Sequence, residues 1–208
     1  SLKTQEDSPS LLLNHDERRF GLSASREKAV WKLDRIVDRH RILMAYLADF
    51  VGHGHCVDFL YGNHDAEFFW PEVKQRLADL LEEFYFGGEE VKGGSVSEYR
   101  ARIQFHEWFF YRPQWCFIEH GNQYDEFSNF KYRLNPVSTL DQNELSMPVS
   151  HLLIRYFVNK VPGFSTHNKD NWTLLDFLRW TFKQGWYRAW FIIKSYLYLS
   201  FRVLQFSH

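Results

Sequence analysis

Val57-Asp58-Phe59-Leu60-Tyr61-Gly62-Asn63-His64-Asp65 is the stretch on which the reading of the fold turns. A short, mostly apolar run rich in β-formers leads into a glycine, and three polar residues suited to metal and proton chemistry follow at once. That order is the grammar of a buried strand delivering a chemically active loop from its C-terminal end. Gly62 permits a tight turn or a close backbone approach. The Asn63 side-chain carbonyl is a ligand for a hard divalent cation. His64 is a candidate general acid, and Asp65 a candidate for fixing its tautomer or orientation. The bland reading stands beside this one: a polar loop with a turn glycine and a capping Asn or Asp.

Trp115-Cys116-Phe117-Ile118-Glu119-His120-Gly121-Asn122-Gln123-Tyr124-Asp125 repeats the grammar, with strand-like residues followed by His-Gly. Taken together, the two stretches resemble the calcineurin-like metallophosphoesterases, in which a Gly-Asn-His-Asp/Glu block precedes a strand ending in His-Gly. The likeness runs from about Lys28 to Asp125 and is nearest to the branch containing UDP-2,3-diacylglucosamine hydrolase. It implies that Asn63 and His120 ligate one ion of a two-metal centre. It also implies that His64 contacts the phosphate or protonates the leaving oxygen while Asp65 orients it. Gly62 and Gly121 would let the backbone take the required path. Two divalent ions about 3.5–4 Å apart would clamp an in-line displacement. Manganese leads among them, with magnesium, iron and zinc all compatible with mixed Asn, His and carboxylate ligands.

The sequence departs from that family's pattern. Before residue 62 Asp-x-His occurs only as Asp38-Arg39-His40, inside the helical stretch 26–51, and no Gly-Asp-x-x-Asp is present; no Gly-His-x-His follows His120. Gly52-His53-Gly54-His55 spells the last motif in the wrong chain order, between a helix and a strand, where a turn suits it better. Asn14-His15-Asp16 lacks the glycine and a convincing strand before it. The expectation is a segment of a longer enzyme, too poor in ligands to be active alone.

The chain has 208 residues, enough to bury a proper core. Its net charge is −1, so no global electrostatic case for nucleic acid exists. Aromatic residues make up 19%, suggesting apolar surface beyond an ordinary core. Cys56 and Cys116 have no metal-type spacing and read as buried, reduced thiols of a cytoplasmic protein.

Residues 1–25 read as a loop or frayed arm, with Ser25 a cap for a long amphipathic helix over 26–51. Apolar residues recur there at Val30, Leu33, Val37, Met44, Leu47 and Val51. A strand at 56–61 follows, then a helix opened by Pro71 with Val73, Leu77, Leu80, Leu81 and Phe84 inward. Gly87, Gly88, Gly93 and Gly94 mark a turn-rich connection. Strand candidates cover Arg102–Phe110 and Trp115–Glu119, and a helix covers Ser150–Val161, stopped by Pro162-Gly163. Helix–strand–helix–strand order argues for an α/β domain of layered sheet and flanking helices. We expect a partial phosphoesterase core over 1–135 and an aromatic-rich helical cap or insertion over 136–208.

From Leu174 to Phe206 aromatic and aliphatic residues dominate, with Arg179, Lys183, Arg188, Lys194 and Arg202 against one acid, Asp176. Three readings stand: a membrane span interrupted by charges, a core helix or helix pair broken near Gly185, and an interfacial cap helix. On the interfacial reading Arg179, Trp186, Arg188, Trp190 and Lys194 contact lipid, and the protein sits peripherally at the inner membrane face. The functional expectation is metal-dependent hydrolysis of a phosphomonoester, phosphodiester or diphosphate, lipid-linked if the cap covers acyl chains. The rival is a non-catalytic, membrane-associating protein that keeps the fold with an incomplete metal centre.

Overall fold

In the computed structural model residues 12–87, 94–161 and 174–206 are described, and they belong to two compact units. One unit spans Ser23–Met147; the other joins the residues up to Leu22 with the chain from Pro148 onward. The division therefore falls at 147/148 and not at 135/136. Val137, Leu145 and Met147 pack into the core of the first unit, and the Asn143 carbonyl accepts from the Arg26 N–H at 3.3 Å.

The first unit mixes helices with two small sheets. The apolar stripe over 26–51 folds as two helices, α2 (Arg26–Arg39) and α3 (Arg41–Gly52), because His40 leaves helical geometry at φ −117°, ψ 30°. The break lets α2 bury Ala29, Leu33 and Val37 while α3 independently buries Ala48 and Val51. Ser25 occupies the N-cap position without a side-chain hydrogen bond. β1 (Val57–Leu60) leads through the motif loop to α4 (Pro71–Phe86), whose proline stands at a position with no N–H to lose. Val73, Leu77, Leu80 and Leu81 of α4 are buried as their spacing implies. α2 and α3 both pack on α4.

A short helix absent from the sequence reading, α5 (Val96–Ala101), delivers β2 (Ile103–His106) parallel to β1. Its Tyr99 is fully buried, with the hydroxyl 3.1 Å from the Ala48 carbonyl and 3.0 Å from that of Leu81. Phe59 and Phe105 stand opposite in register and stack at 5.2 Å on the core side. The strand candidate over 102–110 divides at Glu107-Trp108. β2 pairs with β1, whereas β3 (Phe109–Arg112) forms an antiparallel hairpin with β4 (Cys116–Glu119). Cys116 is half-buried, and Cys56 is exposed in the turn before β1 rather than buried in the strand.

The second unit is helical. Residues 1–11 of the expected N-terminal arm lie outside the described residues; after them α1 (His15–Phe20) starts at a capping box in which Asn14 accepts from the Glu17 N–H and Glu17 from the Asn14 N–H. Phe20 sits between Tyr156 of α6 (Val149–Tyr156) and Tyr198 of α8 (Trp186–Phe206). Asp16 accepts from the Tyr156 hydroxyl at 2.7 Å, the Tyr198 hydroxyl at 2.9 Å and the Arg202 guanidinium at 3.1 Å. α7 (Leu174–Lys183) and α8 are separated at Gly185, which has φ +89°. α6 is shorter than Ser150–Val161, with a single 3-10 turn over Val158–Lys160 completing that stretch. The proposed caps at Asn171 and Thr173 lie outside the described residues. Among the described residues no helix is long and apolar enough to cross a membrane. The chain is mixed α and β, with helices outweighing two-stranded sheets.

Candidate functional site

β1 ends at Leu60, after which Tyr61, Gly62 and Asn63 are buried while His64 and Asp65 emerge. The Asp65 carboxylate accepts from the Gly62 N–H at 3.2 Å, which closes the loop and fixes where Asn63 and His64 leave the backbone. β4 ends at Glu119, and His120 follows it. Gly121 then turns the chain at φ +90°, a conformation other residues adopt only with strain, into a single 3-10 turn over Asn122–Tyr124.

The two blocks meet. A Cβ built on Gly62 would overlap the His120 imidazole, so the ring rests directly against the Gly62 backbone. Gly62 has no positive φ, and its lack of a side chain serves this close approach rather than a turn. The loop after β1 and the residue after β4 thereby share one place, although the two strands belong to different sheets.

Asn63 is 5% exposed, and among the described residues its side chain has no hydrogen-bond partner. Among the described residues no group of three or more His, Cys, Asp or Glu is placed to hold a metal ion.

No family model, curated protein or solved structure matches this chain. What the site can do is therefore read from its own geometry.

A residue the sequence did not flag holds the two blocks together. Arg133 donates to the Asn122 side-chain oxygen at 2.6 Å and lies 3.5 Å from the Tyr61 carbonyl, while Asn122 donates onward to the Ser128 carbonyl at 3.0 Å. Burial pulls the Arg133 guanidinium below its ordinary value, against the opposing pull of Tyr61 and Glu119. Burial pushes the Tyr61 phenol up, with Glu107 adding to the effect and Arg133 opposing it. Nothing around Arg133 in sequence announces this role; only the fold brings it back to β1. His106 and Asp58 were also unflagged. They pair at 2.7 Å as diagonal neighbours across β1 and β2, opposite the Phe59–Phe105 side.

His64 and Asp65, with the ion-paired Lys32 and Glu67, join an otherwise apolar cleft of about 480 Å³ lined by α2, α3 and α4. Leu33, Ile36, Met44, Leu47, Phe59 and Phe68 supply much of its wall. A larger cleft of about 580 Å³ holds none of the motif residues. Its charges satisfy each other, Arg76 pairing with Asp34 at 2.7 Å and Glu83 at 3.3 Å, so the smaller cleft is the better candidate.

The remaining histidine-rich stretches are structural. Gly54 turns at φ +94°, His53 Nδ1 lies 2.8 Å from the Asp49 carbonyl, and the His55 ring stacks on Phe50 at 4.2 Å. Asn14 and Asp16 serve the cap and the polar cluster of the helical unit. Asp125 organises a turn: hydrogen bonds from the Ser128 side chain and the Phe127 N–H hold its carboxyl below the usual range. Arg179, Trp186, Arg188, Trp190 and Lys194 are all exposed, and they belong to the other unit.

Proposed function

We propose that the first unit is part of a metal-dependent phosphoester hydrolase of the calcineurin-like type. The observation that carries this reading is the seating of His120 on Gly62, the residue that precedes the largely buried Asn63. Two sequence blocks with metal and proton chemistry meet at the one glycine that permits it. Asn63 and His120 would hold an ion, and divalent ions so held polarise phosphoryl oxygens and lower the pKa of bound water. His64, exposed on the same loop, protonates the leaving oxygen or contacts the phosphate. The Asp65 carboxylate keeps that loop closed through Gly62, and its second oxygen is available to orient the His64 ring. The apolar cleft shared by His64 and Asp65 supports a substrate with a hydrocarbon portion, as a lipid-linked phosphoester or diphosphate has.

The test is phosphodiester hydrolysis with Mn²⁺, compared between this chain and an enzyme that carries it together with the missing ligands. The 208-residue chain should turn over negligibly, because two donors do not make a dinuclear centre. In the longer enzyme, His64→Ala should lower kcat by at least about a hundredfold, in line with removal of a general acid. Asn63→Ala and His120→Ala should lower metal affinity. Metal-dependent turnover indifferent to all three substitutions would end the assignment.

A further inference from the structure

Arg133 carries a charge that its hydrogen bonds do not neutralise. Its guanidinium donates to the Asn122 side chain and to the Tyr61 carbonyl, and both acceptors are neutral. Among the described residues no carboxylate lies within ion-pair distance of it. Glu119 acts on it only from further away and accepts from the Tyr124 hydroxyl. Glu107, which reaches Tyr61 electrostatically, is ion-paired with Lys74 at 3.3 Å. A cation drawn out of water without a counter-charge is costly, and folded proteins pair such groups.

Beside this charge lies a cavity of about 10 Å³ lined by Tyr61, Gly62, Ala66, Phe130, Arg133 and Pro136. That is room for one small particle. Two polar atoms of these residues are buried without a hydrogen-bond partner, the Tyr61 hydroxyl and Arg133 Nε. Tyr61 is only 7% exposed, and its phenol and the Arg133 guanidinium act on each other electrostatically, so their polar ends are neighbours. A guanidinium N–H only donates, and a phenol has a proton to donate. The side chains of Ala66, Phe130 and Pro136 offer no acceptor. A water molecule would accept from both donors, but it would turn its own protons toward an apolar wall and leave the charge in place. An anion accepts only, and it compensates the charge. Phosphate and sulfate, with several heavy atoms each, exceed the volume; chloride is a single atom.

We infer that this cavity is a chloride site, in which Arg133 Nε–H and the Tyr61 hydroxyl donate to one buried chloride ion. The ion neutralises the arginine that ties Asn122 to the end of β1, and so holds the segment after β4 against the segment after β1. The inference stands apart from the phosphoesterase reading. Neither His64 nor a metal enters it.

Thermal unfolding of the full 208-residue chain in sodium chloride and in sodium gluconate tests it. Equal ionic strength fixes the screening, so only an ion bound by the folded state separates the two salts. The melting midpoint should rise with chloride and saturate, and bromide should act in the same way. Broadening of the chloride NMR resonance by the folded protein reads the binding directly. Tyr61→Phe keeps the ring and removes one donor to the ion, so it should raise the half-saturating chloride concentration at least about tenfold. Arg133→Met should abolish the chloride dependence. Because Arg133→Met removes other hydrogen bonds as well, Tyr61→Phe carries the test if that variant does not fold. Three results would overturn the inference: equal midpoints in chloride and gluconate, a chloride effect unchanged in Tyr61→Phe and Arg133→Met, or bromide-soaked crystals with water alone in the cavity.

Discussion

Replacing Gly62 by alanine separates a glycine needed for close approach from one needed for the fold. The added methyl enters the space of the His120 ring, an exposed side chain that can swing aside. The backbone itself is not strained, because Gly62 lies outside the left-handed region. Alanine restricts the unfolded chain and returns about 0.4–1 kcal/mol. Driving His120 toward a less favoured rotamer costs about 0.5–1.5 kcal/mol. These effects nearly cancel, so Gly62→Ala should change stability by less than about 1 kcal/mol. Its consequence should appear at His120, whose ring resonances, assigned with a His120→Gln variant, should shift in the NMR spectrum. Urea unfolding followed by tryptophan fluorescence supplies the other half. A loss above about 3 kcal/mol would mean that Gly62 serves the fold. Unchanged His120 resonances would mean that the two blocks do not touch. Either result refutes the reasoning.

Gly121→Ala should behave oppositely: nothing lies within 4 Å of its added Cβ, yet φ +90° strains any side chain, so stability should fall by about 1–2 kcal/mol on urea unfolding. Arg133→Met, which keeps bulk but removes the tie between Asn122 and the Tyr61 carbonyl, should cost about 1–3 kcal/mol. A double-mutant cycle with Asn122→Ala should show strong non-additivity, because both remove the same hydrogen bond. Burial raises the phenols of Tyr61, Tyr99, Tyr156 and Tyr198 above their ordinary 10.0. The folded state then holds protons that the unfolded state releases, so this contribution is complete below about pH 10 and is lost above it. Urea midpoints should fall as pH rises past about 10, and spectrophotometric titration should show tyrosines ionising later than in the unfolded chain.

Much of the local order was legible in the residues. Pro71 and the Val73–Leu77–Leu80–Leu81 stripe announce α4, and Val57–Leu60 announces β1, because each signal is a short-range periodicity with its own punctuation. The interruption at His40 was not legible. The apolar stripe continues across it, and only packing on α4 shows that its two halves need separate faces. The N-terminal arm deceived for a related reason. Asn14 and Glu17 spell a capping box, but a six-residue helix is held by Asp16, which meets Tyr156, Tyr198 and Arg202 from the far end of the sequence.

The candidate site divides in the same way. The contact of His120 with Gly62 joins two stretches that stand out in the sequence, because each places polar residues directly after a strand. Arg133 and the His106–Asp58 pair do not stand out. A single arginine in a polar stretch has no local signature, and a cross-strand pair depends on register. The tail showed its aromatic density but not its orientation. The break at Gly185 was readable, whereas the outward stripe of α8 depends on which face meets α6.

The most direct measurement of the central claim is a Mn²⁺ titration of the 208-residue chain followed by NMR line broadening at the Asn63 side-chain amide and the His120 ring. Shared ligation by one paramagnetic ion predicts that both broaden together at the lowest Mn²⁺ concentrations. It further predicts that the effect at Asn63 is lost in His120→Ala. Broadening that begins instead at His53 and His55, or that leaves Asn63 untouched while His120 responds, would contradict it.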